Sequence, residues 1–166
     1  MHPNALELLA ARVGEQLLQR DERLALAESC TGGWVAQCVT AIAGSSRWFD
    51  RGFVTYSNAA KMEMLGVDPA TLSTHGAVSE ATALAMADGA LAHSPADWAI
   101  AISGIAGPEG GTPAKPVGTV CFAWAHRDGR RDATTQHFAG DREAVRAASV
   151  ASALGGLLER CATLSA

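Results

Sequence analysis

Two serines, a tyrosine and a lysine share one short stretch. Ser45, Ser46, Tyr56 and Lys61 all fall within G-S-S-R-W-F-D-R-G-F-V-T-Y-S-N-A-A-K (44–61). A neutral lysine is a general base, and a general base beside a serine hydroxyl makes a nucleophile. The surrounding residues favour a neutral amine. Gly52-Phe53-Val54-Thr55-Tyr56 reads as a buried strand, and Asn58 as the N-cap of the helix after it, which places Lys61 at the third helical position. The positive end of the helix dipole disfavours a cation there, and burial would lower the pKa further. Tyr56 is the sole tyrosine of the chain. The competing reading is a solvated Lys61 and an ordinary Ser45-Ser46 turn. Spacing does not choose between the two serines.

Three other places carry polar or backbone chemistry. Glu28-Ser29-Cys30-Thr31-Gly32-Gly33 joins an apolar strand (24–27) to a helix from about Gly33 to Thr40. A strand, a small-residue turn and a helix in succession can aim backbone N–H groups at an anion. The turn has neither the Walker A nor the dinucleotide fingerprint, so no nucleotide is named. It also reads as a simple connection in which the glycines permit tight geometry. Gly104-Ile105-Ala106-Gly107-Pro108-Glu109-Gly110-Gly111-Thr112-Pro113 follows the apolar run 97–103, so it leaves the end of a core strand, where ligand crevices of open α/β sheets lie. Arg142 stands in the first turn of the last helix, a cation at the wrong end of the dipole unless an anion sits there.

The elements that must hold these residues follow from periodicity. Asn4 to Gln19 is an amphipathic helix with Leu6, Leu9, Val13 and Leu17 on one stripe and an Asn4/Glu7 capping box. The helix of Lys61 stops at Gly66. Asp68-Pro69 begins a turn, and His75 reads as a loop residue. Ser79 caps a helix to about His93. Gly118 to Ala125 is apolar on both faces and reads as a central strand. Asp128-Gly129 turns it into a more polar antiparallel partner, 131–138. Asp141 caps the last helix, whose Val150, Leu154, Leu157 and Cys161 face inward. Gly155-Gly156 suggests close packing there. The order α-β-α-β-α-α-β-β-β-α predicts an α/β fold: a three-layer α/β/α sandwich over a mixed, mostly parallel sheet with an antiparallel edge hairpin.

The composition excludes several classes of function. The chain has 166 residues, 48% hydrophobic and 18% charged, with a formal net charge of −4. It is globular, and without a basic cluster it carries no electrostatic case for nucleic acid or an acidic membrane. No apolar run suffices to span a bilayer, and M-H-P-N-A-L-E at the start is not a signal peptide, so the cytoplasm is expected. Cys38, Cys121 and Cys161 read as reduced core residues. The five histidines are scattered, and no protein-built metal site is expected.

Taken together, the motifs resemble one family. A-E-S-C-T-G-G-W (27–34), G-S-S-x-W-F (44–49), G-F-V-T-Y-S-N-x-A-K (52–61), H-G-A-V-S (75–79), S-G-I-A-G-P-x-G-G (103–111), K-P-V-G-T-V (115–120) and G-D-R (140–142) are similar, in the same order, to the CinA C-terminal domain family. The resemblance covers nearly the whole chain. It implies the stand-alone form, a single domain over residues 1–166 without a further N-terminal domain. It implies hydrolysis of the carboxamide of nicotinamide mononucleotide to nicotinate mononucleotide and ammonia, with no cofactor and no metal, by a homodimer or other homo-oligomer. It further implies serine–lysine chemistry, with Ser46 as nucleophile, Lys61 as its base and Tyr56 orienting or relaying the proton. Thr31, Gly32, Gly33 and Arg142 are then candidates for the substrate phosphate. Ser29 and Ser103 are candidates for its ribose or amide, and backbone N–H groups near Ser46 or in Gly104 to Gly107 for the oxyanion. Two alternatives stand beside it: an amidase using Cys30 as nucleophile, and a nucleotide-binding module without turnover.

Overall fold

Alternation along two strands sets the layers. In β1 (Leu24–Glu28) and β3 (Trp98–Gly104), Leu24, Leu26, Ile100 and Ile102 face one side, and Ala25, Ala27, Ala99 and Ala101 the other. Successive strand residues point to opposite faces, so one face is bulky and the other nearly flat. The bulky face packs against α1 (Ala5–Arg20), α2 (Trp34–Thr40) and α6 (Arg142–Thr163). The alanine face takes α3 (Asn58–Leu65), α4 (Pro69–His75) and α5 (Glu80–Ala92). The computed structural model describes residues 4–163, so Met1 to Pro3, including His2, lie outside the described residues.

β2 (Phe49–Val54), β4 (Thr119–His126) and β5 (Arg131–His137) complete a five-stranded sheet in the order β2-β1-β3-β4-β5. β1 pairs parallel with β2 and β3; β3, β4 and β5 form an antiparallel run. This is the expected three-layer α/β architecture. The C-terminal ends of β2, β1 and β3 therefore lie side by side. Loops that leave this edge converge there.

Four local expectations change. β2 starts at Phe49 and is a largely exposed edge strand, not the buried strand expected over 52–56. Ser57, not Asn58, caps α3, its Oγ accepting from Ala60 N at 3.0 Å. Lys61 thus becomes the fourth helical residue. His75, expected in a loop, is the last residue of helix α4, which forms because Asp68 caps it and Pro69 fits the first turn. Of the glycine pair in α6, Gly156 packs on the Trp124 ring, whereas a side chain at Gly155 would meet open space. Asn4 and Asp141 cap α1 and α6 as expected.

Candidate active site

Lys61 is 1% exposed, and its amine sits under the sheet edge. Nζ lies 3.0 Å from Ser29 Oγ, 2.9 Å from the Thr55 carbonyl and 3.2 Å from the Tyr56 carbonyl. Among the described residues no carboxylate pairs with it; the three neighbours are neutral oxygens. Burial pushes its pKa below the ordinary lysine value of 10.5, against a smaller opposing effect of Cys30. A neutral amine has two N–H bonds and one lone pair. In the neutral form the two carbonyls can take the two N–H bonds, which frees the lone pair for the Ser29 hydroxyl; that hydroxyl otherwise donates to the Tyr56 carbonyl at 3.4 Å. This arrangement suits proton abstraction from Ser29.

The sheet positions the pair. Thr55 N donates to Glu28 O at 2.8 Å, and Ser29 N to Ile102 O at 3.0 Å, so parallel pairing extends past β1 on both sides. Ser29 is thereby held between the continuation of β2, which presents the two carbonyls, and the end of β3. By strand alternation Ser29 points to the alanine face, the face on which α3 carries Lys61.

Glu28, one residue earlier, points to the other face and is 1% exposed. Its carboxylate accepts from Thr31 Oγ1 at 2.6 Å, Val35 N at 3.0 Å and Ala36 N at 3.0 Å. It is an internal cap for α2, supplied by the preceding strand, and it clamps the turn that bears Ser29. This corrects the expected anion site. The helix N-terminus at Thr31, Gly32 and Gly33 is already occupied by a carboxylate of the chain itself, and Thr31 is fully buried. Gly32 and Gly33 have φ of +57° and +98°, which explains the glycines by backbone conformation. The carbonyls of Cys30 and Thr31 are tied down by Arg146, whose guanidinium also stacks over Trp34.

A cavity of about 270 Å³ opens above Ser29 and Lys61. Ser103, Gly104, Gly107 and Arg142, all expected at the site, line it; so do Cys30, Tyr56, Glu109 and the Ala77-Val78 turn. Thr31, Gly32, Gly33 and Ser46 do not line it. Ser103 follows Ile102 as Ser29 follows Glu28, and Glu28 and Ile102 are register partners. Gly104 and Gly107 contribute backbone, but their lack of a side chain serves packing. A Cβ at Gly104 would lie 2.7 Å from Val120 Cγ2, and one at Gly107 would strike Val117 Cγ1. Arg142 spans the mouth, donating to Gly107 O at 2.8 Å and Tyr56 Oη at 3.2 Å.

Two expected catalytic residues change place. Ser46 lies in a 3₁₀ turn before β2, exposed, with its carbonyl bound by Arg23 at 3.1 Å. Lys61 follows the other end of β2. At about 3.3 Å per residue, that strand alone separates them by on the order of 15 Å. Lys61 therefore cannot deprotonate Ser46 in this arrangement. Tyr56 meets the pair through its carbonyl only. Tyr56 is 61% exposed and its hydroxyl goes to Arg142, so the phenol is not placed to relay a proton. Cys30 is 6% exposed, and burial is the main cause that pushes its thiol up to about 11. A thiol in that state is a poor source of thiolate at neutral pH. The sequence reading missed Glu28 and Glu109. A carboxylate at the last position of a buried strand, just before a turn into a helix, is the signal that could have found Glu28. Nothing local distinguishes Glu109.

The matching of known proteins agrees with the motifs. The CinA C-terminal domain family matches residues 6–161. A protein of Escherichia coli K12 named nicotinamide-nucleotide amidohydrolase PncC is 52% identical over 160 residues, 96% of this chain and 97% of that protein. A Pseudomonas putida protein of the same name is 51% identical over 152 residues, 91% of this chain and 94% of that one. A crystal structure of the competence/damage inducible protein CihA from Agrobacterium tumefaciens superposes with a TM-score of 0.92 at 46% identity, covering 96% of this chain and 97% of that one. On the match of 6–161 and of these relatives over almost their full lengths, the chain belongs to the CinA C-terminal domain family.

Proposed function

We propose that this chain hydrolyses the carboxamide of nicotinamide mononucleotide to nicotinate mononucleotide and ammonia, with Ser29 as nucleophile and Lys61 as its base. The observation that carries the reading is the 3.0 Å contact between Lys61 Nζ and Ser29 Oγ at the floor of a cavity. The names of relatives about half identical to the chain supply the substrate.

Ser29 Oγ attacks the amide carbon while its proton passes to Lys61 Nζ. The oxyanion takes backbone N–H donors from Cys30 or from Ala106-Gly107, which line the same cavity. When the C–N bond breaks, the Lys61 ammonium returns the proton to the departing NH₂, and ammonia leaves. Water then attacks the Ser29 ester, giving a proton to Lys61. Collapse releases the carboxylic acid, and the proton goes back to Ser29. Amide and water become acid and ammonia, and the enzyme is restored.

The charges of the lining suit this substrate. Its pyridinium ring is cationic and its phosphate anionic; Glu109 and Arg142 face the same cavity. Arg142 presents a fork suited to phosphate. The experiment is direct. The purified chain is incubated with nicotinamide mononucleotide, and ammonia and nicotinate mononucleotide are measured together. Equimolar release of both is expected. Tight binding without release would favour a binding module and contradict the reading.

A further inference from the structure

We infer that Ser103 is a specificity-determining residue that reads the substrate's NH₂ group, selecting carboxamide over carboxylate. The inference rests on the reaction proposed above. Ser103 is 1% exposed, lines the cavity and donates its hydroxyl proton to the Ala77 carbonyl at 2.7 Å. A carbonyl cannot donate, so the single proton of Ser103 is committed to the Ala77 carbonyl. What the hydroxyl offers to a ligand is lone pairs alone.

Its position gives that polarity a use. Glu28 and Ile102 are partners in the β1–β3 register, and Ser29 N donates to Ile102 O. Ser29 and Ser103 therefore lie side by side on adjacent strands about 4.8 Å apart and point to the same face. A planar carboxamide with its carbon over Ser29 Oγ reaches Ser103 Oγ with one of its two termini. The NH₂ terminus donates; the carbonyl terminus only accepts. An acceptor at Ser103 favours the NH₂ there and turns the carbonyl toward the backbone donors. The product is a carboxylate, with no donor on either side. Ser103 repels it, so the same contact that orients the amide helps to release the acid. Leaving a buried polar group without its partner is what makes such a site discriminate.

The test compares kcat/KM of wild type, Ser103→Ala and Ser103→Cys on nicotinamide mononucleotide and on the methyl ester of nicotinate mononucleotide. Inhibition by nicotinate mononucleotide is measured beside it. Wild-type turnover of the amide tests the underlying reading by itself. Both variants should lose about tenfold on the amide, the size of one hydrogen bond, and little on the ester. Product inhibition should tighten in both. The cysteine variant keeps the volume filled, so it carries the test if the alanine variant does not fold. Equal losses on amide and ester, or product inhibition that is unchanged or weaker, would overturn the role of Ser103 while leaving the Ser29–Lys61 reaction standing.

Discussion

Lys61 Nζ rests 3.0 Å from Ser29 Oγ, although the two residues are 32 positions apart in the chain. The carbonyls of Thr55 and Tyr56 also hold the amine. The hydroxyl that shares the lysine's neighbourhood in sequence, Ser46, is at the far end of a strand. The pair is a product of parallel pairing, and its consequences can be measured.

Activity should rise with pH along a limb that reports the Lys61 amine, with a midpoint below the ordinary lysine value of 10.5. Lys61→Arg should not restore activity lost in Lys61→Met, because arginine stays charged. Stability gives an independent check. The folded-state pKa of Lys61 is depressed, so the unfolded chain holds the extra proton in the window between the folded pKa and 10.5. Stability from this group therefore rises with pH through that window. Urea melts of wild type and Lys61→Met at stepped pH should show their difference moving in favour of wild type. A difference independent of pH would mean that Lys61 titrates normally.

Glu28 should matter for rate as well as for folding. Glu28→Gln keeps the size but turns one of two acceptors into a donor facing α2. Loss of a cap of this kind costs about 1 kcal/mol. The expected result is a lower melting temperature and a lower kcat with little change in KM, since Glu28 touches the Ser29 turn and not the cavity. A kcat equal to wild type would show that the turn holds Ser29 without the clamp.

Arg142 and the Tyr56 hydroxyl separate binding from chemistry. Arg142→Ala should raise KM for nicotinamide mononucleotide strongly and affect the riboside, which lacks a phosphate, only weakly. Tyr56→Phe should keep kcat within about threefold, roughly 0.6 kcal/mol of barrier, because Tyr56 meets Lys61 through its carbonyl, which the substitution keeps. Steady-state kinetics on both substrates decide this. Equal losses on nucleotide and riboside would remove the phosphate from Arg142.

The fold is legible in the sequence because its core strands and helix caps are local. The runs at β1, β3 and β4, and the caps Asn4, Ser79 and Asp141, carry their own signals. β2 is misread because Phe53, Val54 and Tyr56 look like core, yet Val54 and Tyr56 are 46% and 61% exposed, and Tyr56 lines the cavity. Lys61 is legible from its place in a helix's first turn. Its partner is not, because proximity along the chain favours Ser46, and only sheet order brings Ser29 to it. The Thr31-Gly32-Gly33 turn has the form of an anion site, but the anion is Glu28, whose side-chain direction depends on which face β1 turns to α2.

Ser29 and Ser46 are told apart by kcat of Ser29→Ala and Ser46→Ala on nicotinamide mononucleotide, each with a melting curve to establish that it is folded. Ser29→Ala should lose on the order of 10²–10⁴-fold or more, and adding Lys61→Ala should make it little worse, because the two residues act as one unit. Ser46→Ala should stay close to wild type. A folded Ser29→Ala enzyme with near-normal kcat, or an inactive Ser46→Ala enzyme, would contradict the assignment of Ser29 as the nucleophile.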